Sequence, residues 1–205
     1  MESQPNYGAI LLVLSNKPDL AMHLRVTASV TFKNYIKKNW KCSEENDMID
    51  RIQQQDRESI KASITELMLT SPEQIQRQLS DAISIISRED FPDKWPNLLP
   101  TMVEQLKAGD FHVINGILRT AHSFFKRYRH EFKSNDLWKE IKYVLGIFAA
   151  PVTELFQTLI SMIEQHANDI NSIKLIFSSL ILIAKIFRSL NAQVNKEIQI
   201  IKGSH

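Results

Sequence analysis

An all-α fold built from antiparallel helix pairs is predicted by three features of this 205-residue sequence. Apolar residues recur at intervals of three and four through most of the chain, which is the period of an amphipathic helix, and no stretch alternates as a half-buried strand would. Residues that start and stop helices separate these periodic segments. The chain holds only 5 glycines, which disfavours sandwiches and barrels with many tight turns.

The periodic segments divide into four pairs of helices. We predict the helices at about 6–15 with 19–40, 50–70 with 72–89, 96–108 with 110–131, and 136–166 with 169–190. One pair about every 40 to 60 residues is typical of a HEAT-type solenoid, in which the stacking of neighbouring pairs supplies the core. An irregular helical bundle is the alternative that the periodicity leaves open.

Short polar and proline-containing segments mark the helix boundaries. The predicted N-cap positions are Ser71, which precedes Pro72, then Asp110, either Asn135 or Asp136, and the pair Asn168-Asp169. Pro151 lies inside the segment 136–166, and because proline removes a backbone donor we expect it to kink or divide that helix.

The sequence contains no pattern typical of an enzyme or a metal site. It has neither a glycine-rich phosphate loop nor a nucleophile elbow. Cys42 is the single cysteine, so a disulfide within the chain and a multi-cysteine zinc site are both excluded. The histidines are scattered, and His122 and His130 lie two helical turns apart. We therefore predict no catalytic residue, no cofactor and no metal ion.

Charge and hydropathy narrow the class of partner. The net charge of +2 lacks the basic excess of most nucleic-acid-binding proteins. The most apolar stretch, 173–190, is interrupted by Lys174, Lys185 and Arg188, so we predict no membrane span. The basic cluster 126–130, with Lys133, is interpreted as a solvated helix end whose cations offset the helix dipole. A phosphate or an acidic partner is the alternative for this cluster.

Three stretches carry a resemblance to a known family. Residues 28–40 read ASVTFKNYIKKNW, residues 71–96 contain the link Asp-Phe-Pro-Asp-Lys-Trp, and residues 110–135 read DFHVINGILRTAHSFFKRYRHEFKSN. They resemble N-terminal repeats of the importin-beta (karyopherin-beta) family, and the third is similar to the members that carry importin-alpha out of the nucleus. The similarity covers about residues 6–190.

The resemblance implies HEAT repeats coiled into a right-handed superhelix, with the second helix of each pair on the concave side. It also implies a nuclear export receptor without an active site, which binds Ran-GTP and importin-alpha, contacts nucleoporins and shuttles between nucleus and cytoplasm. Residues 1–190 are then expected to be an N-terminal piece of such a receptor, and 191–205 a divergent, poorly ordered tail. A HEAT scaffold with other partners, or a truncated fragment that competes with the receptor, is the alternative.

Helix face and family geometry together imply the contact residues. The candidate Ran contacts are Lys33, Asn34, Lys37, Gln78, Asp81 and Arg88. Asp81 is expected amid an apolar seam, where a carboxylate needs a cationic or hydrogen-bonding partner. The residues expected to form structural links between repeats are Trp40, Phe91, Pro92 and Trp95.

Overall fold

The computed structural model describes residues 5–41, 52–107 and 110–192. Those residues form eight α-helices and one 3₁₀ segment, with no strand among them. The all-α prediction is therefore confirmed, and every described helix lies within a few residues of its predicted position. The chain divides into two compact units, residues 1–98 and 99–205. Most of the predicted tail, from residue 193 onward, lies outside the described residues.

The first unit contains two antiparallel helix pairs. Its helices are α1 (Tyr7–Asn16), α2 (Met22–Asn39), α3 (Gln54–Thr70) and α4 (Glu73–Asp90). Each helix packs against its partner in the pair, and across the pairs α1 packs against α3 and α2 against α4. The first helices therefore form one layer of this unit and the second helices form the other, as stacked HEAT repeats do.

Close packing at the start of α1 fixes the first layer. The backbone N–H of Asn6 donates to Asp56 Oδ2 on α3 at 2.8 Å. A Cβ atom at Gly8 would lie 3.0 Å from Ile60 Cδ1 and 3.1 Å from Tyr35 Cε1, so the absence of a side chain allows this approach. The surrounding core side chains are fully buried: Leu12, Phe32, Ile36, Ile60, Ile64 and Met68.

The second unit contains the other two pairs. Its helices are α5 (Leu98–Leu106), α6 (Phe111–Phe125), α7 (Asn135–Gln165) and α8 (Ile170–Leu190), and α6 continues into the 3₁₀ segment Lys126–Arg129. α8 packs against α6, α7 and the 3₁₀ segment. Aromatic side chains fill the core below that segment: Phe125 stacks on Tyr128 at 5.7 Å between ring centroids and meets Phe148 edge-on at 5.5 Å.

The helix boundaries confirm some of the predicted caps and correct others. Asp110 caps α6 by accepting from the N–H of His112, and Asp169 caps α8 by accepting from Asn171 and Ser172. α7 begins at Asn135, so its cap is Ser134 and neither Asn135 nor Asp136. α4 begins at Glu73 with Pro72 at the N-cap position, one residue after the predicted cap. Pro151 does not divide α7, which is one continuous helix.

α7 and α8 are long and apolar enough, by length and composition, to cross a membrane. Their most apolar windows have mean hydropathies of 1.5 and 1.8, and 22% of each window is buried. The three cations of α8 are too widely spaced to exclude the helix on these two criteria, and the absence of a membrane span remains a prediction. Core helices of soluble proteins meet the same criteria, so the two helices are weak evidence for a membrane protein.

Candidate partner-binding surface

The six predicted Ran contacts lie on α2 and α4, the two neighbouring helices of the second layer of the first unit. On α2, Asn34 and Lys37 are exposed and Lys33 is half-buried. Lys37 lies in the last turn, where its charge offsets the negative end of the helix dipole. These side chains can therefore contact a partner without first leaving the core.

On α4 the exposed side is narrow, because most of the helix circumference is buried. Asp81 and Arg88 are exposed, together with Gln74 and Arg77 at the same helical spacing. The expectation that Asp81 lies amid an apolar seam is wrong. Its neighbours in sequence, Leu79 and Ala82, are buried, but successive residues of a helix point about 100° apart and Asp81 faces out.

The third predicted residue of α4, Gln78, is half-buried. Its side-chain Oε1 is buried and has no hydrogen-bond partner among the described residues. None of the six predicted contacts forms an ion pair within the described part of the chain. The structure therefore places all six on two adjacent helices but does not join any of them through an ion pair.

Three of the four residues expected to link repeats are buried, and one of them, Trp40, contacts a buried group of charges. Trp40, Phe91 and Trp95 are 1%, 6% and 6% exposed, and Pro92 is half-buried after a cis peptide bond. The indole N–H of Trp40 donates to Asp90 Oδ1 at 3.2 Å. Trp40 thus connects the end of α2 to the end of α4. A structural linking role for the four residues as a set remains a prediction.

Lys61 of α3 is the centre of that group. Its ammonium group lies 3.3 Å from Asp90 and 2.8 Å from Glu58, and it donates to the carbonyl of Lys94 at 2.8 Å. The side chains of Lys61 and Asp90 are only 5% and 6% exposed. We name Trp40, Lys61 and Asp90 the Lys61 cluster. A buried ion pair of this kind is stable only because hydrogen bonds occupy its remaining donors and acceptors.

Arg57, one turn before Lys61, reinforces the same junction. Its guanidinium donates to the carbonyls of Trp40 at 2.8 Å and Ile52 at 3.1 Å, and lies over the Trp40 ring at 4.8 Å from the ring centroid. Sequence reasoning missed Arg57 and Lys61. Their signal was a pair of cations on the apolar side of α3, next to Ile60 and Ile64.

A second buried charge group lies in the second unit and corrects the interpretation of the basic cluster 126–130. Arg127 is not a solvated cation: its side chain is 11% exposed and forms ion pairs with Glu140 of α7 and, at 3.2 Å, with Glu131. The hydroxyl of Tyr128 donates to Glu140 at 2.6 Å. We name Arg127, Tyr128, Glu131 and Glu140 the Arg127 cluster.

Burial governs the protonation of this cluster. It raises the pKa of Glu140 above the usual range, although hydrogen bonding from Tyr128 and the charge of Arg127 act in the opposite direction. Burial, followed by the nearby charge of Glu140, also raises the pKa of Tyr128, which stays protonated. Arg127 Nε is buried without a hydrogen-bond partner among the described residues. The cluster is therefore less completely satisfied than the Lys61 cluster.

The second unit also contains an apolar groove of about 450 Å³. Residues of α5, α6 and α7 line it, including Phe111, Pro151 and Met162, and the charged side chains Lys107 and Glu154 border it. A volume of this size lies in the range of sites that bind small molecules. Within the described residues no group of three His, Cys, Asp or Glu side chains could hold a metal ion.

Two family models match the chain. Residues 1–70 match the importin-beta N-terminal domain, and residues 124–198 match the Cse1 family. These regions include α1 to α3 in the first unit and α7 and α8 in the second. Members of the exportin family are transport receptors and not enzymes.

Curated relatives extend the match to almost the whole chain. Exportin-2 of Oreochromis niloticus and exportin-2 of Homo sapiens are each 60% identical to it over 193 residues, and exportin-2 of Xenopus laevis is 58% identical. The match covers 94% of this chain and 20% of each relative. The chain thus spans about a fifth of the length of these relatives.

Solved structures agree on the fold. The exportin Cse1 in its cargo-free, cytoplasmic state matches with a TM-score of 0.86 and 34% identity over 98% of this chain and 22% of that one. Lph2, a bidirectional nuclear transport receptor of S. cerevisiae, matches with a TM-score of 0.76 over 92% of this chain and 18% of that one, at 19% identity, which supports the fold alone. The chain therefore belongs to the importin-beta family and is a homologue of exportin-2 over about a fifth of that protein's length.

Proposed function

We propose that this chain binds the GTP-bound form of Ran and takes part in returning importin-alpha from the nucleus to the cytoplasm. The observation that carries the proposal is the 60% identity to exportin-2 over 193 residues, which includes most of the importin-beta N-terminal domain. That domain implies Ran binding. The same relationship implies a protein that shuttles between nucleus and cytoplasm.

The exposed side of α2 and α4 is the proposed Ran surface. It presents cations at Lys37 and Arg88 and a carboxylate at Asp81, all solvated. Charges of both signs on neighbouring helices attract a partner and also fix its orientation, because a wrongly oriented partner would bring like charges together. Lys33, Asn34 and Gln78 border the same side and complete the proposed contact set.

The length of the chain sets the expected affinity. A receptor that holds its partners at several separated places gains affinity from each, and this chain spans a fifth of its relatives. We therefore expect weaker binding than by a full exportin-2 and no complete export cycle by the chain alone. A HEAT scaffold for other proteins, or a fragment that competes with the full receptor, is the second candidate.

Nucleoporins are proposed as further partners on the same family relationship. The apolar groove beside Pro151 is the candidate location, because it is lined mainly by apolar side chains. We expect Leu155→Lys, which places a charge in this lining, to weaken nucleoporin binding without changing Ran binding.

The test compares Ran-GTP and Ran-GDP binding by biolayer interferometry, with and without importin-alpha. We expect a preference for Ran-GTP, weakened about tenfold by Lys37→Glu as typical for an interfacial charge reversal. The matched control is Lys17→Glu, the same charge change at an exposed residue just after α1, and it should change binding less than about twofold. Equal binding to both nucleotide forms would favour the scaffold, and equal effects of the two substitutions would rule out the α2 surface.

A further inference from the structure

The second helices of the second unit carry positive charge only. α6 with its 3₁₀ extension (111–129) and α8 (170–190) contain no Asp or Glu. They contain seven cations: Arg119, Lys126, Arg127, Arg129, Lys174, Lys185 and Arg188. Because α6 packs against α8, these charges lie on one pair of adjacent helices.

Among these cations, one is neutralised inside the fold and three exposed ones are not. Arg127 turns inward and is paired with Glu131 and Glu140. Lys126, Lys185 and Arg188 are exposed, and within the described residues no carboxylate forms an ion pair with any of them. The fold therefore does not neutralise these three charges.

Arg129 holds the two helices in a fixed register. Its guanidinium donates to Ser189 Oγ at 3.0 Å from Nε and 2.8 Å from Nη2, and to the carbonyl of Lys185 at 3.2 Å. Further along the contact, Ser179 donates to Asn115 Oδ1 at 3.0 Å. The end of the 3₁₀ extension of α6 and the end of α8 are thus tied side by side, which keeps the backbone positions that carry the nearby cations close together.

The pKa of His122 shows that several of these cations lie near the same side chain. Burial lowers the pKa of His122, and the charges of Arg129, Lys185 and Lys126 lower it further. Cations from α6, the 3₁₀ segment and α8 therefore act on the same imidazole. Like charges that are brought close together repel one another.

We propose that His122, Lys126, Arg129, Lys185 and Arg188, here named the basic seam, form a docking surface for an acidic polypeptide segment. Carboxylates of such a segment would neutralise the exposed cations and relieve their repulsion. The proposal does not depend on Ran binding, because the proposed Ran surface lies on α2 and α4.

Two observations favour an acidic polypeptide over a nucleic acid. The chain as a whole has a net charge of +2, far from the basic excess of nucleic-acid-binding proteins. One turn before Lys185, Ile181 is 52% exposed, so the seam presents an apolar side chain beside its cations. A segment that combines carboxylates with an apolar residue matches both features, whereas a phosphate backbone matches only the charge.

The experiment measures the fluorescence anisotropy of a short labelled peptide rich in Glu and Leu, titrated with the 205-residue chain. The same peptide with Gln in place of Glu and a single-stranded oligonucleotide of equal charge serve as comparison probes. We expect the acidic peptide to bind more tightly than both, and salt to weaken its binding. Tighter binding of the oligonucleotide, or equal binding of the Gln peptide, would overturn the proposal.

A pair of variants locates the binding. Lys126→Glu with Lys185→Glu should weaken peptide binding about tenfold or more. Lys17→Glu with Lys142→Glu, the same charge change at an exposed residue just after α1 and an exposed residue of α7, should change it less than about twofold. Equal losses would mean that only net charge matters. If the first variant loses helicity by circular dichroism, Lys126→Gln with Lys185→Gln replaces it.

A second measurement follows the protonation of His122, which is a residue of the basic seam. The NMR titration of His122 should shift to higher pH when the acidic peptide is bound, because carboxylates beside the seam offset the cations that now lower its pKa. Binding without any change in the His122 titration would place the peptide elsewhere and overturn the assignment. In the same chain, the preference for Ran-GTP should remain unchanged by the seam substitutions.

Discussion

The two units each bury a cation beside a carboxylate, but they differ in how completely hydrogen bonds satisfy the pair. In the first unit, the ammonium group of Lys61 has three oxygen neighbours, and Asp90 accepts from Trp40 as well. In the second unit, Arg127 reaches two carboxylates but leaves its Nε without a partner among the described residues. A buried pair stabilises a fold only as far as its remaining polar atoms are satisfied, so the first cluster should be the more sensitive to loss of one member.

The largest effect is therefore expected from Lys61→Met. This change leaves the buried carboxylate of Asp90 without its cation, and we expect the free energy of unfolding to fall by about 3 kcal/mol. Urea denaturation followed by circular dichroism measures the change. Lys94→Met is the control, because its side chain is exposed and only its backbone carbonyl contacts Lys61. A loss for Lys61→Met no greater than that of the control would show that solvent replaces the ion pair.

Glu140→Gln should cost less, about 1 to 2 kcal/mol. The amide oxygen can still accept from Tyr128, and Arg127 retains Glu131. Burial already raises the pKa of Glu140, so its ionised form is less favoured at neutral pH than that of an exposed carboxylate. The exposed Glu154→Gln on α7 is the control. A cost equal to that of Lys61→Met would contradict the difference between the two clusters.

The raised pKa of Glu140 also predicts how its contribution to stability changes with pH. Because its pKa is raised in the folded chain, its contribution to stability is fully present below pH 4.5, the ordinary value, and is lost as the pH rises through the folded pKa. Glu140→Gln removes that dependence. The free energy of unfolding is measured at one pH below the ordinary value and at one above the folded pKa. Its change between the two pH values should be smaller for the variant than for the parent chain.

The sequence predicted the helices well and the charge clusters poorly, for a physical reason. Helix periodicity and caps such as Asp169 are local, so a window of a few residues contains the signal. Lys61 and Asp90 pair between two different helices. Arg127 of the 3₁₀ segment pairs with Glu140 of α7, on the other side of the connecting turn. A sequence without its fold does not show that these charges meet.

The candidate surface shows the same limit at the scale of one helix. Lys37 and Arg88, two of the candidate Ran contacts, are exposed, because charged residues opposite an apolar stripe face solvent. Asp81 was misplaced because it was judged by its neighbours in sequence and not by its angle around α4. An angular projection would have grouped it with Gln74, Arg77 and Arg88, which are exposed.

A further prediction concerns the pH dependence of the second unit alone. The pKa of His122 is lowered below 6.5, so the folded chain favours the neutral imidazole. Its contribution to stability is present above pH 6.5, the ordinary value, and is lost as the pH falls through the folded pKa. His122→Gln should therefore reduce the drop in stability between pH 7.5 and pH 5.5, by less than about 1 kcal/mol. The exposed His23→Gln should leave the drop unchanged, and a parallel effect of both would point to overall charge.

The smallest effect on stability is expected from the apolar residues that distinguish α8 from α4. Ile83 and Ile86 of α4 are both 0% exposed, whereas Phe177 and Phe187 of α8 are 47% and 67% exposed. α4 is apolar on the sides that its neighbours cover, while α8 carries a further apolar side that the described chain leaves in contact with water. Removing side chains from that side should therefore cost little packing.

We expect Phe177→Ser with Phe187→Ser to change the free energy of unfolding by less than about 0.5 kcal/mol, and to lower the fluorescence of bound ANS, which reports exposed apolar surface. Ile183→Ser, on the buried side of the same helix at 7% exposure, should instead destabilise the chain by about 3 kcal/mol. If the double variant were as destabilising as Ile183→Ser, the phenylalanines would be covered in solution. The apolar side of α8 would then be an interface, and not the open surface that sets it apart from α4.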